Sequence, residues 1–214
     1  MKTLNNYITE AWSGVKRQSI KAEVEAWCQE MGMQNYTINS QGEIDVDGDV
    51  YVFGFNKKLK ELPYKFGSVA GYFNMGGVGL TSCKNFPNNA LKINISGCKK
   101  IKSLEGIGDF YELHLGDNMI EDFYPLNTIN YTRFKNKQCV YGNELTKLKT
   151  MDGLPKEMEF LKLTNCPNLE ILDYSILPKI SKGLELRYNP KLNNIDIAQL
   201  TNAVKLRLNR ITIY

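Results

Sequence analysis

His114 is the one histidine of this 214-residue chain, and it lies between Leu113 and Leu115. Because side chains alternate along a strand, we expect its imidazole to point away from the face on which these leucines are buried. A zinc site or a Cys–His dyad would need further ligands or an exposed thiol nearby. The sequence around His114 offers neither, so we interpret it as a surface histidine and expect no catalysis and no metal or other cofactor.

Two other short motifs resemble ligand sites only in part. Asp45, Asp47 and Asp49 are spaced like the first acidic residues of a calcium loop, but the glycine stands at position four and Asn56 at position twelve. A calcium loop needs glycine at position six and glutamate at position twelve, so we interpret the segment as a turn. Gly76-Gly77 is not followed by Lys-Ser/Thr, so we expect no phosphate loop.

The most regular feature is a frame of the form apolar-x-apolar-x-x-(Asn/Cys)-x-x-apolar-x-x-apolar, which recurs about every 21 residues. Four strong copies begin at Tyr51, Ile93, Leu161 and Leu184, with Asn56, Cys98, Cys166 and Asn189 at the Asn/Cys position. Weaker copies begin at Tyr72, Leu113, Phe134 and Val204, with Gly77, Asn118, Cys139 and Asn209 there. Such a period predicts a solenoid.

The residue types at these offsets have physical reasons. The apolar-x-apolar pair places two side chains on one face of a short strand, which stacked coils would join into a parallel sheet buried on its inner side. The backbone then turns inward, where its amides need partners. A buried Asn can donate and accept hydrogen bonds between neighbouring coils, and Cys is a small side chain with a weak donor.

The frame resembles that of the leucine-rich repeat, L-x-L-x-x-N/C. The resemblance implies an α/β solenoid of degenerate leucine-rich repeats over residues 36–214, with about eight coils and one short parallel strand in each. We expect an entry hairpin at its start, because 36–38 and 44–46 alternate like strands around Gln41-Gly42. Residues 11–35 should form an N-terminal helical cap, since apolar residues recur at helical spacing after Ser19.

Composition limits the class of protein. The net charge is only +4, and no apolar run approaches the ~20 residues that a membrane span needs, so we expect no membrane partner. The N-terminus has no unbroken apolar stretch typical of a signal peptide. The chain has five cysteines, and we expect reduced, buried thiols in a cytosolic setting.

The outward positions of the predicted strands suggest a partner-binding face. We take Val52, Phe73, Met75, Asn94 and His114 as outward in the early coils, and the later coils are mostly basic. The predicted contacts with a partner are Phe73, Met75, Arg133, Lys135, Lys137, Lys162, Arg187, Tyr188, Lys205 and Arg207. Aromatic and arginine anchors are typical of interfaces, and a basic half favours a protein with an acidic surface. A solvated surface with scattered lysines is the alternative interpretation.

The first eleven residues, Met-Lys-Thr-Leu-Asn-Asn-Tyr-Ile-Thr-Glu-Ala, resemble the capsid-targeting leader of internal head proteins in T4-like bacteriophages. The resemblance implies a cleavable leader at residues 1–10, cut by the prohead protease between Glu10 and Ala11, with Ile8 and Glu10 recognised. Leu4 and Asn6 depart from the aromatic and acidic residues often found in that family. A helix belonging to the cap is the alternative for this segment.

Residues 44–50 and the repeats after them also resemble degenerate leucine-rich-repeat proteins encoded by tailed phages. Together the two resemblances imply a protein-binding module carried in the phage head interior and delivered to the host cytoplasm, where it sterically inhibits a host enzyme or defence component. The leader would contact the prohead scaffold. Two alternatives remain: a structural protein inside the head without a host target, and a nucleic-acid binder that uses the basic half of the sheet.

Overall fold

The computed structural model describes residues 18–52, 59–171, 173–192, 195–206 and 210–213. These residues form a β-solenoid of about six turns with mostly parallel strands and two α-helices. The predicted solenoid is confirmed, whereas the expected eight coils become about six. The elements are α1 (18–30), β1 (Tyr36–Ile38), β2 (Ile44–Val46), β3 (Val50–Tyr51), β4 (Phe66–Asn74), β5 (Asn89–Asn94), β6 (Asp109–Gly116), β7 (Cys139–Asn143), β8 (Glu157–Thr164), β9 (Lys179–Arg187), α2 (Ile197–Val204) and β10 (Ile211–Ile213).

One sheet of ten strands runs along the solenoid in the order β1-β2-β4-β5-β6-β7-β8-β9-β10, with β3 beside β4. β1 and β2 are antiparallel, which confirms the predicted entry hairpin, and every later pairing is parallel. Parallel neighbours need a crossover between them. Where the structure describes them, the crossovers contain short 3-10 turns at Leu126–Thr128, Tyr174–Ile176 and Pro190–Leu192, and α2 lies in the crossover between β9 and β10.

The core lies behind the sheet, where two rows of inward side chains are stacked in register. Ile93, Leu113, Val140 and Leu161 are paired neighbours in one row, and all four are fully buried. The second row holds Ile95, Leu115, Leu163 and Leu186, also buried. Each such side chain stabilises the fold by about 1.5–3 kcal/mol through its removal from water. The sheet therefore has one face committed to the core and one face left for other contacts.

At Asn118 and Asn189 the small polar position after the strand is buried and bonded between coils. Asn118 donates from Nδ2 to the carbonyl oxygens of Ile95 and Cys98 at 2.9 and 3.0 Å, and its Oδ1 accepts from the Gly116 amide. Asn189 accepts from the Cys166 amide at 2.8 Å and donates to the Leu163 carbonyl at 3.0 Å. The side-chain amides of Asn118 and Asn189 thus bond to inward backbone groups, as the repeat frame predicts.

Asp45 in β2 and Asp49 just before β3 bond to the backbone of β4. Asp45 Oδ1 accepts from the Ser68 amide at 2.7 Å, and Asp49 Oδ1 accepts from the Tyr72 amide at 2.8 Å. A Cβ at Gly71 would lie 2.1 Å from Asp49 Oδ1, so the close approach requires glycine. These contacts agree with the interpretation of this segment as a turn that fixes the start of the sheet.

Helix α1 packs on the start of the sheet. Val24 and Cys28 are fully buried in the common core. The Trp27 ring meets the rings of Tyr64 and Phe66 edge to face, with centroids 5.7 and 6.2 Å apart. The helix is therefore confirmed where the apolar spacing predicts it, and its role as a repeat cap stays a prediction.

The register of the first two copies is wrong by one residue. Val50 and Val52 are buried and Tyr51 is 42% exposed, although the sequence frame places Tyr51 inward. In the next copy, Phe73 and Met75 are fully buried. Val78, not Gly77, therefore occupies the Asn/Cys position of the frame. A slip of one residue in a strand exchanges its two faces, which is why Phe73 and Met75 are core residues and not outward anchors.

Two later copies are also misplaced. The copy predicted from Phe134 begins instead at Val140, which pairs with Leu161, and buried Leu145 takes the position assigned to Cys139. Residues 129–138 form an added loop before β7. The copy predicted from Val204 coincides with the end of α2, and the strand lies further on, in β10. Both errors arise from insertions that shift the frame without changing its apolar pattern.

Candidate binding surface

The outer face of the sheet carries a second set of side chains in register. Asn94, His114, Tyr141, Lys162 and Glu185 are successive partners on β5 to β9. Neighbouring strands are about 4.8 Å apart, so this row crosses the sheet over roughly 19 Å. All five are partly exposed. The outward direction that the sequence predicts for His114 is confirmed, because 36% of its side chain is accessible.

Aromatic rings occupy the middle of this face. His114 stacks on Tyr141 with centroids 4.7 Å apart and an interplanar angle of 15°. Tyr141 in turn lies against Phe160, with centroids 5.6 Å apart and an angle of 33°. Because a ring lies on each side of Tyr141, both faces of the Tyr141 ring are largely covered by its neighbours. Ring edges and polar atoms are what the row presents to another molecule.

A shallow groove of about 530 Å³ follows the aromatic row. This volume falls within the range of binding clefts in proteins. The groove combines rings with hydroxyl, amide and charged groups, which is the mixture that protein interfaces use. Its lining includes Ser96, His114, Tyr141, Asn143, Phe160, Lys162, Thr164 and Glu185.

Two charged clusters flank the aromatic row. On one side, Glu112 Oε2 is 2.8 Å from Lys92 Nζ and 3.1 Å from His114 Nε2. Desolvation by burial alone would raise the pKa of Glu112, but its hydrogen bonds with Lys92 and His114 and their charges lower the pKa overall. On the other side, Glu185 Oε2 is 3.1 Å from Lys162 Nζ and 3.5 Å from Arg187 Nε.

The early part of the outer face is polar and aromatic. The Tyr51 and Tyr72 rings meet edge to face at 5.7 Å, and neighbouring Leu91 is 37% exposed. Asn94 donates to Asn74 across the strands at 3.0 Å. Apart from Asn94, these neutral groups are not the predicted ones, because Val52, Phe73 and Met75 are buried, and the expected contrast with a basic later half stays a prediction.

The predicted partner-binding residues do not form one strip. Lys162 and Arg187 lie on the outer face, and Tyr188 follows β9 with 66% of its surface exposed. Phe73 and Met75, which were expected on this face, lie in the core. The other predicted cations are divided between two places. Arg133, Lys135 and Lys137 lie in the loop before β7 and Lys205 at the C-cap of α2, while Arg207, Ile8, Glu10 and Ala11 lie outside the described residues.

Arg133 illustrates why a basic residue need not be part of a binding strip. Its backbone amide donates to Asp109 Oδ2 at 2.6 Å, and its Nη1 donates to Asn89 Oδ1 at 3.0 Å. Its guanidinium also lies 5.0 Å from the centre of the Phe134 ring. These contacts hold the added loop against the starts of β5 and β6.

Sequence reasoning missed Tyr141 and Phe160, which are central to the surface. The available signal was Val140-x-Gly142, followed by Leu145 and Leu148 at the expected offsets. Because glycine stands at the second apolar position, this copy does not match the frame. With Val140 taken as inward, Tyr141 would fall beside His114 on the outer face.

Among the described residues, no group of His, Cys, Asp and Glu side chains is placed to hold a metal ion. No helix in that part of the chain is long and apolar enough to cross a bilayer. All five cysteines are buried, and burial raises the pKa of the Cys98 thiol to about 11. No protein-family model, no curated protein and no solved structure matches the chain.

Proposed function

We propose that this chain is a degenerate leucine-rich-repeat protein that binds another protein through the outer face of its sheet. The observation that carries the proposal is the row of His114, Tyr141 and Phe160 along the 530 Å³ groove. Aromatic residues in a groove with polar groups at its rim are typical centres of protein interfaces. The repeat identity is supported by the inter-coil bonds of Asn118 and Asn189.

The same row is less suited to nucleic acid. Single strands are held by bases that stack on open aromatic faces beside unpaired cations. Tyr141 has rings on both sides, and Lys92 and Lys162 each have a carboxylate within about 3 Å. Binding through a phosphate backbone would require many more cations on this face. We therefore rank the nucleic-acid alternative below protein binding.

Affinity capture from host lysate tests the proposed surface. The bait is the full chain, and the test variant is Tyr141→Ser with Phe160→Ser. The matched control is Tyr124→Ser, because Tyr124 is 60% exposed and lies away from the outer face. We expect the double variant to lose the captured protein while its circular dichroism spectrum is retained. Equal capture by all three baits would exclude the groove as the binding site.

We further propose that the protein is packaged in a phage head through residues 1–10 and acts in the host by covering a target enzyme or defence component. The support is the leader resemblance, in which Ile8 and Glu10 match the protease recognition pattern. Mass spectrometry of purified particles should find a chain that starts at Ala11. A Glu10→Gln variant should remain uncut.

Particles that contain only the full-length chain would contradict cleavage, and particles without the chain would contradict packaging. A packaged and processed chain that captures no host protein would favour the alternative of a structural protein within the head. The outer-face proposal does not depend on this result, because it rests on residues outside the leader.

A further inference from the structure

We infer that the added loop at 129–138 is a basic arm beside the outer face, and that it binds the acidic part of a protein partner that lies along the aromatic row. The inference rests on the proposed function and adds to it the chemistry of the partner. The groups that would meet the acidic residues are the ammonium groups of Lys135 and Lys137, with Arg133 beside them. The partner would therefore carry Asp or Glu next to the groups that cover Tyr141 and Phe160.

The loop has a fixed shape because contacts with the sheet and within the loop hold it. Asp109 Oδ2, at the start of β6, accepts from the backbone amides of Arg133 at 2.6 Å and Phe134 at 3.4 Å. The Lys137 amide donates to the Phe134 carbonyl at 3.0 Å and closes a turn, in which Asn136 has a φ of 59°. Asparagine tolerates this left-handed conformation. An arm that is already fixed loses less entropy when a partner binds.

The charge of the loop is positive and is not neutralised by ion pairs. Residues 129–138 contain three cations and no Asp or Glu. Among the described residues, no carboxylate is within ion-pair distance of Lys135 or Lys137, and both side chains are exposed. Glu157, which accepts from Asn136 at 2.8 Å, forms its ion pair with Lys179 at 3.4 Å. The exposed turn therefore presents positive charge that attracts an acidic surface.

The loop is continuous with the aromatic row of the outer face. The Phe134 ring lies 6.2 Å from the Tyr111 ring, with an angle of 40° between them. Tyr111 Oη donates to Glu159 Oε2 on β8 at 3.3 Å, and Glu159 directly precedes Phe160 of the aromatic row. Phe134 and Tyr111 are both partly exposed. A partner that covers the row can therefore contact the loop at the same time.

The distribution of charge favours an acidic protein segment over nucleic acid. A phosphate backbone needs cations along the whole of its path. The lysines of the outer face, Lys92, Lys162 and Lys182, each have a carboxylate within 3.1 Å. A protein partner needs acidic residues only where it meets the loop, and it can present apolar or polar groups to the rest of the face.

An mRNA-displayed library of random peptides, selected on the immobilised full chain, tests the loop. The enriched peptides are synthesised, and their affinities for the natural chain and its variants are measured by fluorescence anisotropy. The test variant is Lys135→Glu with Lys137→Glu. The matched control is Lys100→Glu with Lys102→Glu, which reverses two exposed lysines of the same spacing in the crossover between β5 and β6. Circular dichroism checks that both variants retain the fold.

We expect the selected peptides to be rich in Asp and Glu and to lose affinity at least roughly tenfold with the test variant. The control should retain the affinity. Peptides that need Tyr141 and Phe160 but are neutral and indifferent to the loop variant would overturn the inference and leave the proposed function intact. Acidic peptides that need the loop but neither Tyr141 nor Phe160 would keep the loop as a site for acidic segments and contradict the proposed groove.

A fluorescent single-stranded oligothymidylate, measured with the same variants, tests the loop against nucleic acid. We expect it to bind the natural chain more weakly than the acidic peptides do. Tight binding of the oligonucleotide that is lost with Lys135→Glu and Lys137→Glu, together with no enrichment of acidic peptides, would assign the loop to nucleic acid and overturn the inference.

Discussion

The two faces of the one sheet hold the molecule together in different ways. On the inner face, Phe73 is fully buried between Phe66 and Phe86, with ring centroids 5.0 and 5.1 Å away. On the outer face, the adjacent Tyr72 is partly exposed and touches Tyr51 edge to face. Burial of an apolar side chain contributes about 1.5–3 kcal/mol, whereas a pair of exposed side chains on neighbouring strands contributes about 1 kcal/mol or less.

This contrast explains how a repeat protein can carry a binding surface. The inner rows fix the stack of coils, so they tolerate little change in volume. The outer rows consist of contacts between neighbours, such as His114 with Tyr141 and Lys162 with Glu185. Because these contacts add little stability, the outer residues can differ from coil to coil. A partner can therefore be selected by the outer face without cost to the fold.

The largest effect is expected at Phe73. Phe73→Ala removes a fully buried ring and leaves a cavity beside Phe66 and Phe86, so the free energy of unfolding should fall by about 3–5 kcal/mol. Tyr72→Ala, one residue away on the outer face, should cost about 1 kcal/mol or less. Urea denaturation of the two variants measures the difference. Equal losses would contradict the assignment of these neighbours to opposite faces.

A smaller loss is expected at the buried amide after β9. Asn189→Leu removes the acceptor of the Cys166 amide and the donor to the Leu163 carbonyl. Because both groups would remain buried and unpaired, the free energy of unfolding should fall by about 1–3 kcal/mol. Asn168→Leu is the control, since its amide bonds the Thr146 carbonyl at the surface. A loss at Asn189 no larger than at Asn168 would show that the inter-coil bonds contribute little.

The same contrast explains what the sequence predicts well. The apolar frame identifies the inner face where the copies are regular, as at Ile93, Leu161 and Leu184, because burial repeats with each coil. The frame is misread where a copy is irregular. Val78 stands where the frame has Asn or Cys, and Gly142 stands where it has an apolar residue. The added loop at 129–138 shifts the copy that begins at Val140.

The candidate surface is harder to predict because its residues need no common type. Tyr141 meets His114 only after the crossover of 22 residues, 117–138, that separates β6 from β7, so local spacing does not reveal the contact. The pairing of Lys162 and Arg187 with Glu185 likewise depends on the register of two strands. Charge counts along the chain suggest a basic half, but they do not show which Lys and Arg side chains form ion pairs with a carboxylate.

A further prediction concerns the shared carboxylate on the outer face. Glu185→Gln leaves Lys162 and Arg187 close together without the charge between them, so stability should fall by up to about 1 kcal/mol. High salt should reduce the loss because it screens the repulsion. The control is Glu170→Gln, which removes a carboxylate whose ion-pair partner among the described residues is Lys191. Urea denaturation at low and high salt measures both variants, and a loss independent of salt would indicate packing instead of charge.

The smallest effect is expected at Glu112, where pH gives the clearest test. Its folded pKa lies below the ordinary value because the hydrogen bonds of Lys92 and His114 outweigh desolvation. A carboxylate with a lowered pKa adds stability above its unfolded pKa, about 4.3, and loses it as the pH falls through the folded pKa. Glu112→Gln should therefore cost about 0.5 kcal/mol at pH 7 and nothing once the carboxyl is protonated in both states. Urea denaturation across the acidic range measures this difference, with exposed Glu105→Gln as the control. A difference between the natural chain and Glu112→Gln that persisted in strong acid would show that the contact acts through shape and not through charge.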